Sequence, residues 1–93
     1  MSKLTEAARH ESCIRCGRDD GTVVAAHING PIAHWLGRGM GRKPHDLFCA
    51  HLCSRCHDDM DGRSNRDPDN KQREWAELVL RTQRRLIDMG VIK

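Results

Sequence analysis

The chain has 93 residues, of which 38% are hydrophobic, with one Phe and no Tyr. That is a single domain, 1–93, with too little apolar material to hold a fold by burial alone, so a covalent or metal staple is expected. The net charge is only +3, but twelve of the sixteen basic residues are arginine, a bias that suits bidentate recognition of phosphate or carboxylate and is compatible with nucleic acid.

No apolar run resembles a signal peptide or a membrane span, so a reducing cytoplasm is the expected setting. There, closely spaced cysteines read as metal ligands and not as disulfides.

In chain order, residues 3–10 suit a short helix that ends before the first cysteine pair. Cys13-Ile14-Arg15-Cys16-Gly17 reads as a knuckle, a tight turn whose glycine tolerates positive φ. Residues 22–27 (TVVAAH) form a β-prone run between turn signals, the first expected strand. Residues 28–46 carry Gly30, Gly37, Gly39 and Gly41 and two of the chain's three prolines, which predicts a long loop with one helical turn around His34 and Trp35. Residues 47–52 form a second expected strand, feeding the knuckle Cys53-Ser54-Arg55-Cys56. A short helix from Cys56 to about Asp61 follows, ended by Gly62.

Asp67-Pro68-Asp69-Asn70 supplies an N-cap for a helix over about 70–89, with Gly90 as its stop. Trp75, Leu78, Val79, Leu86 and Met89, with Thr82 between them, recur at helical spacing on one face. Lys71, Arg73, Arg81, Arg84 and Arg85 lie mostly elsewhere, as a solvated face or a DNA-binding surface. Both Trp35 and Trp75 read as core anchors, with stacking on a base as the lesser alternative for Trp35 alone. The fold class is α+β.

The cysteines follow the pattern C-x2-C, 36 residues, C-x2-C. A two-residue gap lets both sulfurs of a knuckle face one point, so 13–16 and 53–56 predict four thiolates around one structural Zn²⁺, with Cys13, Cys16, Cys53 and Cys56 as ligands. A closed four-sulfur shell has no open position for substrate, so chemistry has to come from other residues. Cys49 reads as a buried core thiol, with a ligand role as the lesser alternative.

Six histidines are many for a chain of this size. His57 follows the last knuckle cysteine and Asp61 lies four residues on, so on a helix the two share a face and can hold one divalent ion. His27 ends the first strand, and the knuckles are expected to draw it towards His57 and Asp61. The plain alternatives are that His57 caps a thiolate, His27 is a satisfied strand-end histidine and Asp61 is a surface carboxylate.

A C-x2-C knuckle, a strand ending in histidine, a glycine-rich loop, a second strand and C-x2-C-H entering a helix resemble an HNH nuclease of the ββα-metal (His-Me finger) type. The nearest likeness is to the YbcO-type family of small prophage-encoded proteins taken to be nucleases, and to the phage recombination-enhancement nucleases. It is carried by Ala26-His27-Ile28, Gly39-Met40-Gly41-Arg42-Lys43-Pro44, Asp46-Leu47, Cys53-Ser54-Arg55-Cys56-His57 and the ending Gly90-Val91-Ile92-Lys93.

The resemblance implies a ββα core over about 22–62 with an added C-terminal helix, and metal-dependent cleavage of DNA phosphodiesters in phage or prophage recombination or replication within a bacterial cytoplasm. In that scheme His27 is the general base, and His57 and Asp61 hold a catalytic Mg²⁺ or Mn²⁺, with Zn²⁺ or Ni²⁺ as alternatives. Arg42 and Lys43 neutralise DNA phosphates, and a recombinase is a candidate protein partner. The family often has Asp or His before the base, where this chain has Ala26. It follows that either His27 itself binds the ion, or Asp46 or His51 completes the site. The rival class is a non-catalytic zinc ribbon that binds nucleic acid or protein.

Overall fold

A computed structural model describes residues 3–30, 33, 35, 45–63 and 67–92. The chain runs through a short helix α1 (Lys3–Glu6), a strand β1 (Val24–His27), a 3-10 turn (Asp46–Phe48) and a strand β2 (Cys49–Leu52). A short helix α2 (Ser54–Asp58) then passes into a π-helical turn (Asp59–Arg63), and a long helix α3 (Pro68–Asp88) completes the described fold. This is a small α+β architecture. Among the described residues no helix is long and apolar enough to cross a membrane.

β1 and β2 form an antiparallel pair in which Val24 faces Leu52, Ala25 faces His51, Ala26 faces Ala50 and His27 faces Cys49. The ladder extends one step beyond β1, where Ile28 N–H donates to Phe48 C=O at 2.9 Å. The other edge of β2 is closed by two different parts of the molecule. His51 N–H donates to Thr82 Oγ1 on α3 at 3.2 Å, and His51 C=O accepts from Ile14 N–H in the first knuckle at 2.8 Å. An exposed strand edge would be left with unpaired backbone groups. Closing it in this way buries all four residues of β2.

α3 starts where Asp67 accepts from Asp69 N–H at 3.2 Å, ahead of Pro68 at the first turn, a position where proline loses no helical hydrogen bond. It ends where Gly90 takes φ +81° and Val91 N–H returns to Leu86 C=O at 2.9 Å. Trp75, Leu78, Val79, Thr82 and Leu86 are buried. Thr82 breaks the apolar face because its hydroxyl serves the strand edge. Met89, expected on that face, is 44% exposed; it is the C-cap, beyond the last packed turn.

Trp75, Leu78 and Val79 pack with Ala26, Ala50, Leu52 and Met60 in the main core. Trp35, by contrast, corrects its expected role as an anchor, being 89% exposed. Ala33 and Trp35 both have helical backbone, so their side chains diverge by about 200°. Ala33 takes the buried side.

Three elements are shorter than expected, each for an identifiable reason. β1 begins at Val24 and not at residue 22, because the Thr22 hydroxyl donates to Asp20 and accepts from Ser54 N–H at 3.0 Å, fixing a turn there. β2 begins at Cys49 and not at residue 47, because Leu47 and Phe48 belong to the 3-10 turn, where His45 Nδ1 accepts from Leu47 N–H at 3.0 Å. α1 stops at Glu6, and the chain reverses through His10, whose φ is +68°.

Candidate functional site

The sulfurs of Cys13, Cys16, Cys53 and Cys56 all lie within 4.8 Å of one another. The Cys16 and Cys53 sulfurs are 3.7 Å apart. Tetrahedral zinc with bonds of about 2.3 Å sets its sulfurs about 3.8 Å apart, so the separation fits. Local backbone bonds preset the ligands: Cys13 N–H donates to Arg18 C=O, Gly17 N–H to Cys13 C=O and His57 N–H to Cys53 C=O. Gly17 takes the positive φ, +81°, that closes the first knuckle.

The thiol acidities diverge. Burial raises the Cys13 thiol, but backbone donors at Cys53, Cys16 and Arg15 outweigh that and bring it to about 6. Cys56 is pushed up to about 12 by burial, with the neighbouring thiols adding to the rise against the lowering effect of Arg15. Metal-free, the cluster favours the Cys13 thiolate and disfavours the Cys56 thiolate, and a bound cation lifts that resistance. Such a cluster can hold a structural metal ion such as zinc. Arg15 ties the cluster to the rest of the fold, with ion pairs to Asp59 at 2.6 Å and to Glu74 on α3 at 2.7 Å.

A second group of possible ligands sits at the other end of the hairpin. His27 Nε2 lies 2.8 Å from Asp46 Oδ1, and Cys49 joins them, with all three ligand atoms within 4.8 Å of one another. The strand register causes this, because it sets Cys49 opposite His27 while the 3-10 turn brings Asp46 alongside. Cys49 is buried, whereas the His27 and Asp46 side chains keep 21% and 35% of their surface. An ionised Asp46 accepts from Nε2–H and so selects the tautomer with a lone pair on Nδ1. His27 Nδ1 makes no hydrogen bond to another described residue.

His57 Nε2 and Asp61 Oδ2 are 3.1 Å apart, one helical turn from each other and both partly exposed. The π-helical turn carries Asp61, and Trp75 Nε1 anchors that turn by donating to Met60 C=O at 3.1 Å. Oxygen and nitrogen ligands at right angles around an ion with bonds of about 2.1 Å stand about 3 Å apart, so this pair has the spacing of adjacent metal ligands. Among the described residues, His27, His57 and Asp61 do not form one cluster of ligand atoms within 4.8 Å.

His51 joins neither cluster. It is fully buried, its Nδ1 lies 3.1 Å from Arg85 Nη1, and its Nε2 has no partner among the described residues. Burial, and then the Arg85 charge, lower its pKa to about 4, so the ring stays neutral. Arg85 also donates to the Ser12 carbonyl and hydroxyl. Nothing in the local sequence spacing marks this partnership, which spans 34 residues. Arg42, Lys43 and His34 lie outside the described residues.

The profile of the family described as "Putative nuclease YbcO" matches residues 2–91. A protein of that name from Escherichia coli (strain K12) is 37% identical over an alignment of 100 residues, covering all of this chain and 99% of the relative. A protein of the same name from Enterobacteria phage 82 matches to the same extent. A solved structure described as a putative bacteriophage protein from Escherichia coli str. K-12 substr. MG1655 superposes with a TM-score of 0.64 at 34% identity, covering 92% of this chain and 98% of that one.

Proposed function

The chain belongs to the YbcO family, whose members are named as putative nucleases, and from that premise we propose that it is a metal-dependent DNA endonuclease of the HNH type. The observation that carries this reading is the 2.8 Å contact between His27 and Asp46, a histidine held by a carboxylate in the way a general base requires. His27 Nδ1 takes a proton from the attacking water as the new P–O bond forms, and the P–O bond to the 3′ oxygen breaks. Asp46 keeps the ring in the productive tautomer and stabilises the imidazolium that results. His57 and Asp61 hold the catalytic divalent ion. When bound, that ion polarises the phosphate and neutralises charge on the leaving oxygen.

The cysteine cluster holds the structural zinc. Arg42 and Lys43 contact the phosphate backbone, the sequence-independent part of DNA affinity. The phage relative supports a role in phage or prophage DNA metabolism, where a recombinase is the candidate partner.

A non-catalytic zinc ribbon is the competing reading, and one observation favours it: His57 and Asp61 do not close into a single ligand cluster with His27.

Nicking of supercoiled plasmid with Mg²⁺ or Mn²⁺ separates the two. The wild type should nick, and His27→Ala and His57→Ala should each be at least about 10²-fold slower, the scale of a lost general base. Equal activity in all three proteins, or none with any divalent ion, selects the ribbon.

A further inference from the structure

His27, Asp46 and Cys49 reach one point from three elements: the end of β1, the 3-10 turn and the start of β2. We propose that these three side chains form a second metal site, distinct from the four-cysteine cluster, which takes a borderline-soft divalent ion such as Zn²⁺ and thereby inhibits the nuclease. The binding half of this proposal stands on geometry alone, and the inhibitory half rests on His27 acting as the base.

The donor set selects the ion. One imidazole nitrogen, one carboxylate oxygen and one thiolate favour zinc or cobalt, whereas Mg²⁺ prefers six oxygens. Around tetrahedral zinc such donors stand about 3.3–3.7 Å apart. The observed separations run from the 2.8 Å between His27 and Asp46 up to a ceiling of 4.8 Å, so to seat the ion that pair opens by about 0.5 Å and any wider separation closes by at most about 1.5 Å. Cys49 forms the floor at 3% exposure, and the partly exposed His27 and Asp46 leave a route in from solvent. Three protein ligands leave the fourth position to water.

Binding also silences the base. The Cys49 thiol gives its proton to solvent as the metal–sulfur bond forms. If the ion takes His27 Nε2, the ring proton moves to Nδ1 and the lone pair that would accept from water is gone. If the ion takes Nδ1, it consumes that lone pair directly. Mg²⁺ does not compete for the thiolate, so the ion that supports cleavage and the ion that stops it occupy different donors.

Cobalt reports the site without any need for activity. Co²⁺ titrated into the full-length protein already carrying one zinc per chain should give a thiolate-to-cobalt charge-transfer band that saturates at one equivalent. The band should vanish in Cys49→Ala, persist in His57→Ala and need at least tenfold more cobalt in Asp46→Asn, while every variant keeps its one zinc as evidence of an intact fold. In Mg²⁺-supported nicking, added Zn²⁺ should cut the wild type's own rate at least tenfold, and Cys49→Ala should need at least tenfold more Zn²⁺ for the same fractional loss. No band in the wild type, or a band that survives Cys49→Ala, overturns the site. A band without inhibition overturns the inhibitory role. A protein that never nicks DNA sinks the nuclease reading instead, and the cobalt band still decides the site.

Discussion

The guanidinium of Arg85 lies 3.1 Å from Nδ1 of the fully buried His51, so a permanent positive charge faces a ring that must stay neutral. Burial first, and Arg85 second, bring the His51 pKa from 6.5 to about 4. Between those values the unfolded chain binds a proton that the folded chain refuses. Stability from this group is therefore complete above about pH 6.5 and is lost as pH falls towards 4.

The loss amounts to at most about 3 kcal/mol at 1.36 kcal/mol per unit. Urea unfolding at pH 7.5 and 4.5, with zinc in excess, should show a shallower fall in stability for His51→Gln than for the wild type. Parallel falls would mean that another group carries the acid sensitivity.

The cysteine cluster should be indispensable to the fold. Structural zinc contributes about 10–16 kcal/mol of apparent binding energy in small domains, as much as or more than the whole stability of a chain this size. Chelation should abolish cooperative thermal unfolding and most of the helical circular dichroism, and Cys53→Ser should do the same. An unchanged melt in excess chelator would contradict this.

The contact between His27 and Asp46 predicts a specific pattern of rates. His27→Ala should lose about 10²–10⁴-fold in nicking. Asp46→Ala should lose less, about 10–100-fold, because it acts only through the ring, orienting it and stabilising its charged form. Since Asp46 acts through His27, the double variant should be no slower than His27→Ala alone. Additive losses would show that Asp46 has an independent role.

Trp75 links the core to Asp61 through the Met60 carbonyl. Trp75→Phe keeps an aromatic filler, removes that donor and leaves a smaller side chain in a fully buried site. It should cost about 1–3 kcal/mol in denaturant unfolding and also slow nicking, because the turn that carries Asp61 loosens. A variant that loses stability but nicks at the wild-type rate would show that the turn does not depend on this bond.

Much of the fold is written locally. The knuckles are readable because a two-residue gap constrains each cysteine pair by itself, and α3 because Trp75, Leu78, Val79, Thr82 and Leu86 repeat at the helical period between a capping Asp67 and Gly90. Where local pattern misled, a long-range partner or a local cap had intervened. Met89 matched the period but fell on the cap, and Trp35 yielded the interior to Ala33. Residue 22 was diverted from the strand by bonds to Asp20 and to Ser54.

The sequence by itself determined the two cysteine pairs, the long amphipathic helix and the residue types available for metal and proton chemistry. Only the tertiary structure decided which of those residues meet. Asp46 reaches His27 across 19 residues, Cys49 joins them through the β1–β2 register, and His51 is drawn to Arg85 rather than to either cluster. The physical reason is that spacing along a chain fixes only neighbours within a turn or a strand. Strand register and helix packing are set by the burial of the whole core at once.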